Sequence, residues 1–87
     1  MSRRIDILYF ASLRESLGLD RERVELPDTV DTAGALRAWL RERGEPWSTA
    51  LAEGRAVRVS VDQSMARPEA ALADGAEVAF FPPVTGG

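Results

Sequence analysis

The sequence contains no cysteine and no histidine. The first absence excludes disulfides, thiol nucleophiles and thiolate metal sites. The second removes the commonest general base and the commonest metal ligand. Lysine is missing too: all 11 basic residues are arginine, so no side-chain amine can accept an isopeptide bond. No apolar run approaches the ~20 residues that span a bilayer, and no signal-peptide core stands near the N-terminus. A cytoplasmic protein without membrane contact is therefore expected. With 14 acidic residues the net charge is −3, which argues against nucleic acid, whose phosphates call for a basic face. Such a chain is not expected to be an enzyme on its own.

What remains is ordinary globular composition: 87 residues, 45% hydrophobic and 29% charged. That is one small domain, burying roughly 60–65% of its unfolded surface. Arg3 to Ala11 reads RRIDILYFA, a strand with Ile5, Ile7 and Tyr9 on one face and Asp6, Leu8 and Phe10 on the other. Both faces are largely apolar, as suits a central strand or one whose second face meets a partner. Leu13 to Leu19 reads as a connecting turn or helical fragment. Arg23 to Leu26 is a short strand ended by Pro27.

The clearest helix opens near Asp31 or Thr32, where several cap candidates cluster, and stops at Gly44. Ala33, Leu36, Trp39 and Leu40 form its apolar stripe, while Arg37, Arg41 and Glu42 are expected to face water. Trp47 to Ala52 has room for one more helical turn. Arg55 to Asp62 alternates, with Val57, Val59 and Val61 inward and Arg58 and Ser60 outward. A turn at Asp62-Gln63 leads to a short strand holding Met65. A connector and the Asp74-Gly75 turn precede a last strand from Glu77 to Phe81. The fold class is α+β, one main helix across a mixed sheet. The domain is expected to span 1–81, with 82–87 as an extended tail.

That tail reads Pro82-Pro83-Val84-Thr85-Gly86-Gly87. The prolines fix φ and direct an extended path away from the sheet; Val84 and Thr85 also prefer extended backbone. Gly86 and Gly87 carry no side chain and can thread a passage too narrow for other residues. Fully extended, six residues reach at most roughly 20 Å. A frayed end can also carry glycine, but Pro-Pro-Val-Thr is not the Gly/Ser composition of a flexible linker. The chemistry at the tip is a terminal α-carboxylate. It becomes an acyl donor once adenylated, and a sulfur nucleophile then converts it to a thiocarboxylate without any cysteine in this chain.

Across nearly its whole length the chain resembles the small subunits of molybdopterin synthase, sulfur carriers with the ubiquitin-like β-grasp fold. The resemblance rests on IDILYFASLRE at Ile5–Glu15, the helix opening at Thr29–Leu36, VDQ at Val61–Gln63 and, above all, DGAEVAFFPPVTGG at Asp74–Gly87. It implies that an E1-like adenylyltransferase uses Mg-ATP to adenylate Gly87. A sulfurtransferase or cysteine desulfurase then supplies sulfur for the thiocarboxylate. The tail, with Thr85 and Gly86 threading, enters the large catalytic subunit and donates sulfur for dithiolene formation in molybdenum cofactor biosynthesis. Two small subunits flank two large ones, and this chain binds neither metal nor cofactor itself. The resemblance also places Phe10, Met65 and Phe81 in an apolar partner-binding patch beside Pro82 and Pro83, with Arg14 at its edge. Asp62 stands where the family often has Asn, a turn position where little consequence is expected. Rival readings are a thiamine-type sulfur carrier, a ubiquitin-like modifier of other proteins, and a passive binding module.

Overall fold

Strand alternation sets the architecture. The structure, a computed structural model, describes residues 3–83. In chain order the elements are β1 (Arg3–Tyr9), α1 (Ala11–Leu17), β2 (Arg21–Leu26), α2 (Ala33–Arg41), α3 (Trp47–Ala50), β3 (Arg58–Val61), β4 (Ser64–Ala66) and β5 (Glu77–Phe81). The five strands form one sheet in the order β2-β1-β5-β3-β4. β1 and β5 run parallel at its centre, and every other pairing is antiparallel. This is the mixed-sheet α+β grasp that the alternation predicts.

One face of the sheet makes the core. Ile5, Ile7 and Tyr9 of β1 and Val78 and Phe80 of β5 are buried there against Leu36 and Leu40 of α2, with Leu13 and Leu17 of α1 and Leu51 completing it. Tyr9 and Phe80 stack with ring centroids 6.2 Å apart. The Tyr9 hydroxyl donates to Glu22 Oε2 at 2.8 Å, and Arg43 forks onto the same carboxylate at 2.9 and 3.1 Å. Burial pushes the Tyr9 hydroxyl well above its ordinary pKa, so it stays a neutral donor. Arg43 also lies over the rings of Trp39 and Trp47, tying the end of α2 and the start of α3 to β2.

Helix α2 begins where its cap dictates. Thr32 is extended, and its Oγ1 accepts the Ala35 N–H at 3.1 Å. Gly34 donates to the Pro68 carbonyl at 2.8 Å, and a Cβ at Gly34 would lie 3.1 Å from the Pro68 side chain. The missing side chain is what lets α2 seat against the connector. Replacing Thr32 with alanine is expected to cost about 1 kcal/mol. Thermal unfolding should then fall by about 4–8 °C, with secondary structure unchanged by circular dichroism.

Three expectations need correction. The segment anticipated as a turn or helical fragment is a seven-residue helix from Ala11, closed by Gly18 at φ 75°. Leu13 and Leu17, one turn apart and both buried, hold it on the core. The strand expected from Arg55 begins only at Arg58. Arg37, expected to face water, is half-buried and clasps the preceding loop. Its Nε donates to the Leu51 carbonyl at 2.8 Å, and its Nη2 to those of Ala52 at 2.5 Å and Arg55 at 3.0 Å. Within the expected strand the Arg55 carbonyl is thus taken by a side chain rather than by a ladder partner, and β3 starts after it.

Candidate functional site

Among the described residues, the helices that pack on the sheet lie on its core face, and the opposite face is left to the strands. Because paired residues share a face, the register assembles it row by row. Leu8 pairs with Arg21 on one side and Ala79 on the other; Ala79 pairs with Ser60, and Ser60 with Met65. One row nearer the end of β5, Phe81 stands across from Arg58. Phe10 extends the parallel ladder beside it, donating its N–H to the Phe80 carbonyl at 3.2 Å. Among the described residues, Phe10 and Met65 are the large hydrophobic side chains left exposed, at 46% and 60%. Phe81 is half-buried between its neighbours.

The residues singled out from sequence therefore converge, although not equally. Phe10 and Phe81 are neighbours about one strand spacing apart. Met65 shares their face but sits in the next row, on the edge strand β4. Arg14 is exposed on α1, one turn after Phe10, whose carbonyl accepts the Arg14 N–H. Ala11, between Phe10 and the rest of α1, has φ 53°, a left-handed conformation that costs a non-glycine residue on the order of 1–2 kcal/mol. This turn carries the chain from β1 directly into α1 beside the patch.

The root of the tail is described, and its tip is not. Pro82 and Pro83 are half-buried rather than free of the domain. Pro82 borders a groove of about 280 Å³ with Leu13 and Ser16 of α1, Ala50 of α3 and Val57. The stalk thus starts packed against the helices before it leaves the sheet. Val84, Thr85, Gly86 and Gly87 lie outside the described residues, and so does the chemistry expected of them. Sequence reading put Leu8 on this face beside Phe10 but missed Ala79 as part of its floor, and Arg58 as its neighbour. Alternation had put Arg58 outward, but only the β3–β5 register brings it opposite Phe81.

Electrostatics elsewhere on this face is ordinary surface pairing. The Arg23 guanidinium donates to Asp6 at 2.8 Å and holds that carboxyl below its usual range. Among the described residues, no cluster of acidic side chains is arranged to hold a metal ion. No helix among them is long and apolar enough to cross a membrane.

Comparison with known proteins agrees with this geometry over nearly the full chain. Residues 7–87 match the ThiS family. The chain is similar to the molybdopterin synthase sulfur carrier subunit of Haemophilus influenzae, 41% identical over 95% of this chain and 99% of the relative. Its Escherichia coli counterpart, of the same name, is 40% identical with the same coverage. Among solved structures, a putative molybdopterin converting factor subunit 1 from Pyrococcus furiosus superposes with a TM-score of 0.78. It is 26% identical, with 95% of this chain and 100% of that one covered.

Proposed function

This chain belongs to the ThiS family, and on that premise we propose that it is the sulfur-carrier subunit of a molybdopterin synthase, with Gly87 as its reactive end. The observation that carries the reading is the pairing of two features. An exposed apolar patch built on Phe10 and Phe81 surrounds the end of β5, and β5 leads straight into a tail that ends without side chains. A carrier needs those two parts: a surface for its partners to grip and a thin arm for them to act on. The names of the curated relatives supply the pathway, molybdenum cofactor biosynthesis.

The chemistry proposed for the tip is simple. The Gly87 carboxylate, ionised at neutral pH because its pKa is about 3.3–3.7, attacks the α-phosphorus of ATP on an E1-like adenylyltransferase. That enzyme holds the Mg-ATP, and pyrophosphate leaves. A persulfide carried by a sulfurtransferase or cysteine desulfurase displaces AMP to give an acyl disulfide. A thiol of the donor or activating enzyme then cleaves its S–S bond, releasing the thiocarboxylate and ending as a disulfide. The arm then enters the large catalytic subunit, with Thr85 and Gly86 in its narrowest part, and gives up its sulfur to a pterin precursor. Acid–base groups are assigned to that large subunit, in keeping with a chain that has no histidine or cysteine.

The test is the mass of the protein after incubation with the adenylating enzyme, ATP and a sulfur source. One sulfur replacing one oxygen is nearly isobaric with methionine oxidation, so Met1 and Met65 must be excluded from the measured fragment. Cleavage after Glu77 yields Val78–Gly87, which has no methionine. An ATP-dependent shift confined to that peptide is the expected result. No shift, with an enzyme active on another carrier, would point to a passive binding module. Attachment to lysines of other proteins would instead favour a ubiquitin-like modifier.

A further inference from the structure

The outer face of the sheet is zoned by charge. Near the end of β5 its strands carry Arg21 and Arg58 and no acidic residue, and Arg14 adds a third positive charge from α1. The rows farther from the tail hold Asp6 and Glu77 together with the pairs Arg23–Asp6 and Arg4–Glu25. Arg14 and Arg58 form no ion pair among the described residues. A protein of net charge −3 thus gathers unpaired arginines around its apolar patch. Arg58 is the best placed of them, exposed and directly across the ladder from Phe81.

An apolar centre with a charged rim is the anatomy of a specific protein interface, and arginine is enriched there. The sign of the rim specifies its complement. We infer that the surface covering Phe10, Phe81 and Met65 belongs to a protein partner whose own rim is acidic, and that Arg58 faces one of its carboxylates. The inference rests on the carrier reading, and the partner it addresses is the large synthase subunit. Two positively charged rows next to a negative one favour a single sense of approach, with the partner's carboxylates over the root of the tail. Docking the other way would set those carboxylates against Asp6 and Glu77. The charge pattern therefore steers the arm toward the acceptor site as the two surfaces meet.

Association kinetics with the purified large subunit of the same organism test this. Arg58→Glu should slow association about tenfold at about 50 mM salt, with the gap closing to about twofold or less at about 500 mM. Arg4→Glu makes the same change in net charge at the far end of the same face. It should stay within about twofold of wild type at both salt concentrations. Unchanged thermal unfolding of Arg58→Glu would confirm that the exposed site tolerates the replacement. Arg58→Glu associating as fast as wild type at low salt would overturn the inference alone, as would an equal slowing by Arg4→Glu. Absence of binding by the wild-type chain would overturn the carrier reading together with the inference.

Discussion

Replacing Gly86 with valine should leave the domain folded and reduce sulfur transfer by about a hundredfold or more. The substitution comes in the chain after the last described strand and the last described core residue, Phe80, so unchanged thermal unfolding is the expected control. A β-branched side chain next to the reactive carbonyl widens the arm where the proposed passage is narrowest. Displacement of reacting groups by about 1 Å is enough to cost that much rate. The measurement is single-turnover transfer from pre-formed thiocarboxylate, which separates entry into the large subunit from activation by the adenylating enzyme. Wild-type rates would sink the narrow passage. Adding one residue after Gly87 should be more severe still, because it turns the Gly87 carboxylate into an amide and sets the free carboxylate one residue too far along the arm.

The second large effect should come from Phe80, one residue before the exposed patch begins. Phe80→Ala deletes a ring that is 1% exposed and stacked on Tyr9. Truncations of this kind cost about 3–5 kcal/mol, and total stability near 0.05–0.15 kcal/mol per residue amounts to only about 4–13 kcal/mol here. Urea unfolding should show a midpoint lowered by about a quarter or more, or no folded baseline at all. Phe81→Ala, its neighbour, should behave in the opposite way. Its side chain lies on the outer face, so stability should fall by roughly 1 kcal/mol or less, while affinity for the large subunit should drop at least about tenfold. Equal loss of stability in the two variants would mean that the alternation along β5 is misassigned.

That alternation is also why so much of the fold was legible beforehand. β5 from Glu77 to Phe81 and the burial of Ile5, Ile7 and Tyr9 follow from period-two patterning. The start of α2 follows from its Thr32 cap; Gly44 is left-handed at φ 87°, as a helix stop would be, but α2 itself ends three residues earlier, at Arg41. Local signals suffice where local physics decides. Arg37 was misjudged because its partners, the carbonyls of Leu51, Ala52 and Arg55, are 14 to 18 residues away. No helical period encodes a clasp of that range. Alternation along β1 put Leu8 and Phe10 on the outer face, but Met65 and Phe81 joined them only through resemblance to a family. Of the rim of the apolar patch only Arg14 was legible, through the same resemblance; Arg58 was not, because it meets Phe81 through a pairing between strands.

One consequence of the central pairing is mechanical. β1 and β5 lie side by side and point the same way, with Asp6 to Tyr9 matched to Glu77 to Phe80. The described chain enters the sheet at the start of β1 and leaves it for the tail at the opposite end of β5. A pull on the tail, resisted at the start of β1, therefore slides the two strands past one another. Sliding loads all the bonds of the ladder together, whereas peeling would open them one at a time. β5 is also flanked on its other side by β3, so a tug on the arm is shared across three strands before it reaches the core. The proposed carrier role, in which the arm is drawn into a partner and withdrawn again, would thus load the fold where it yields least.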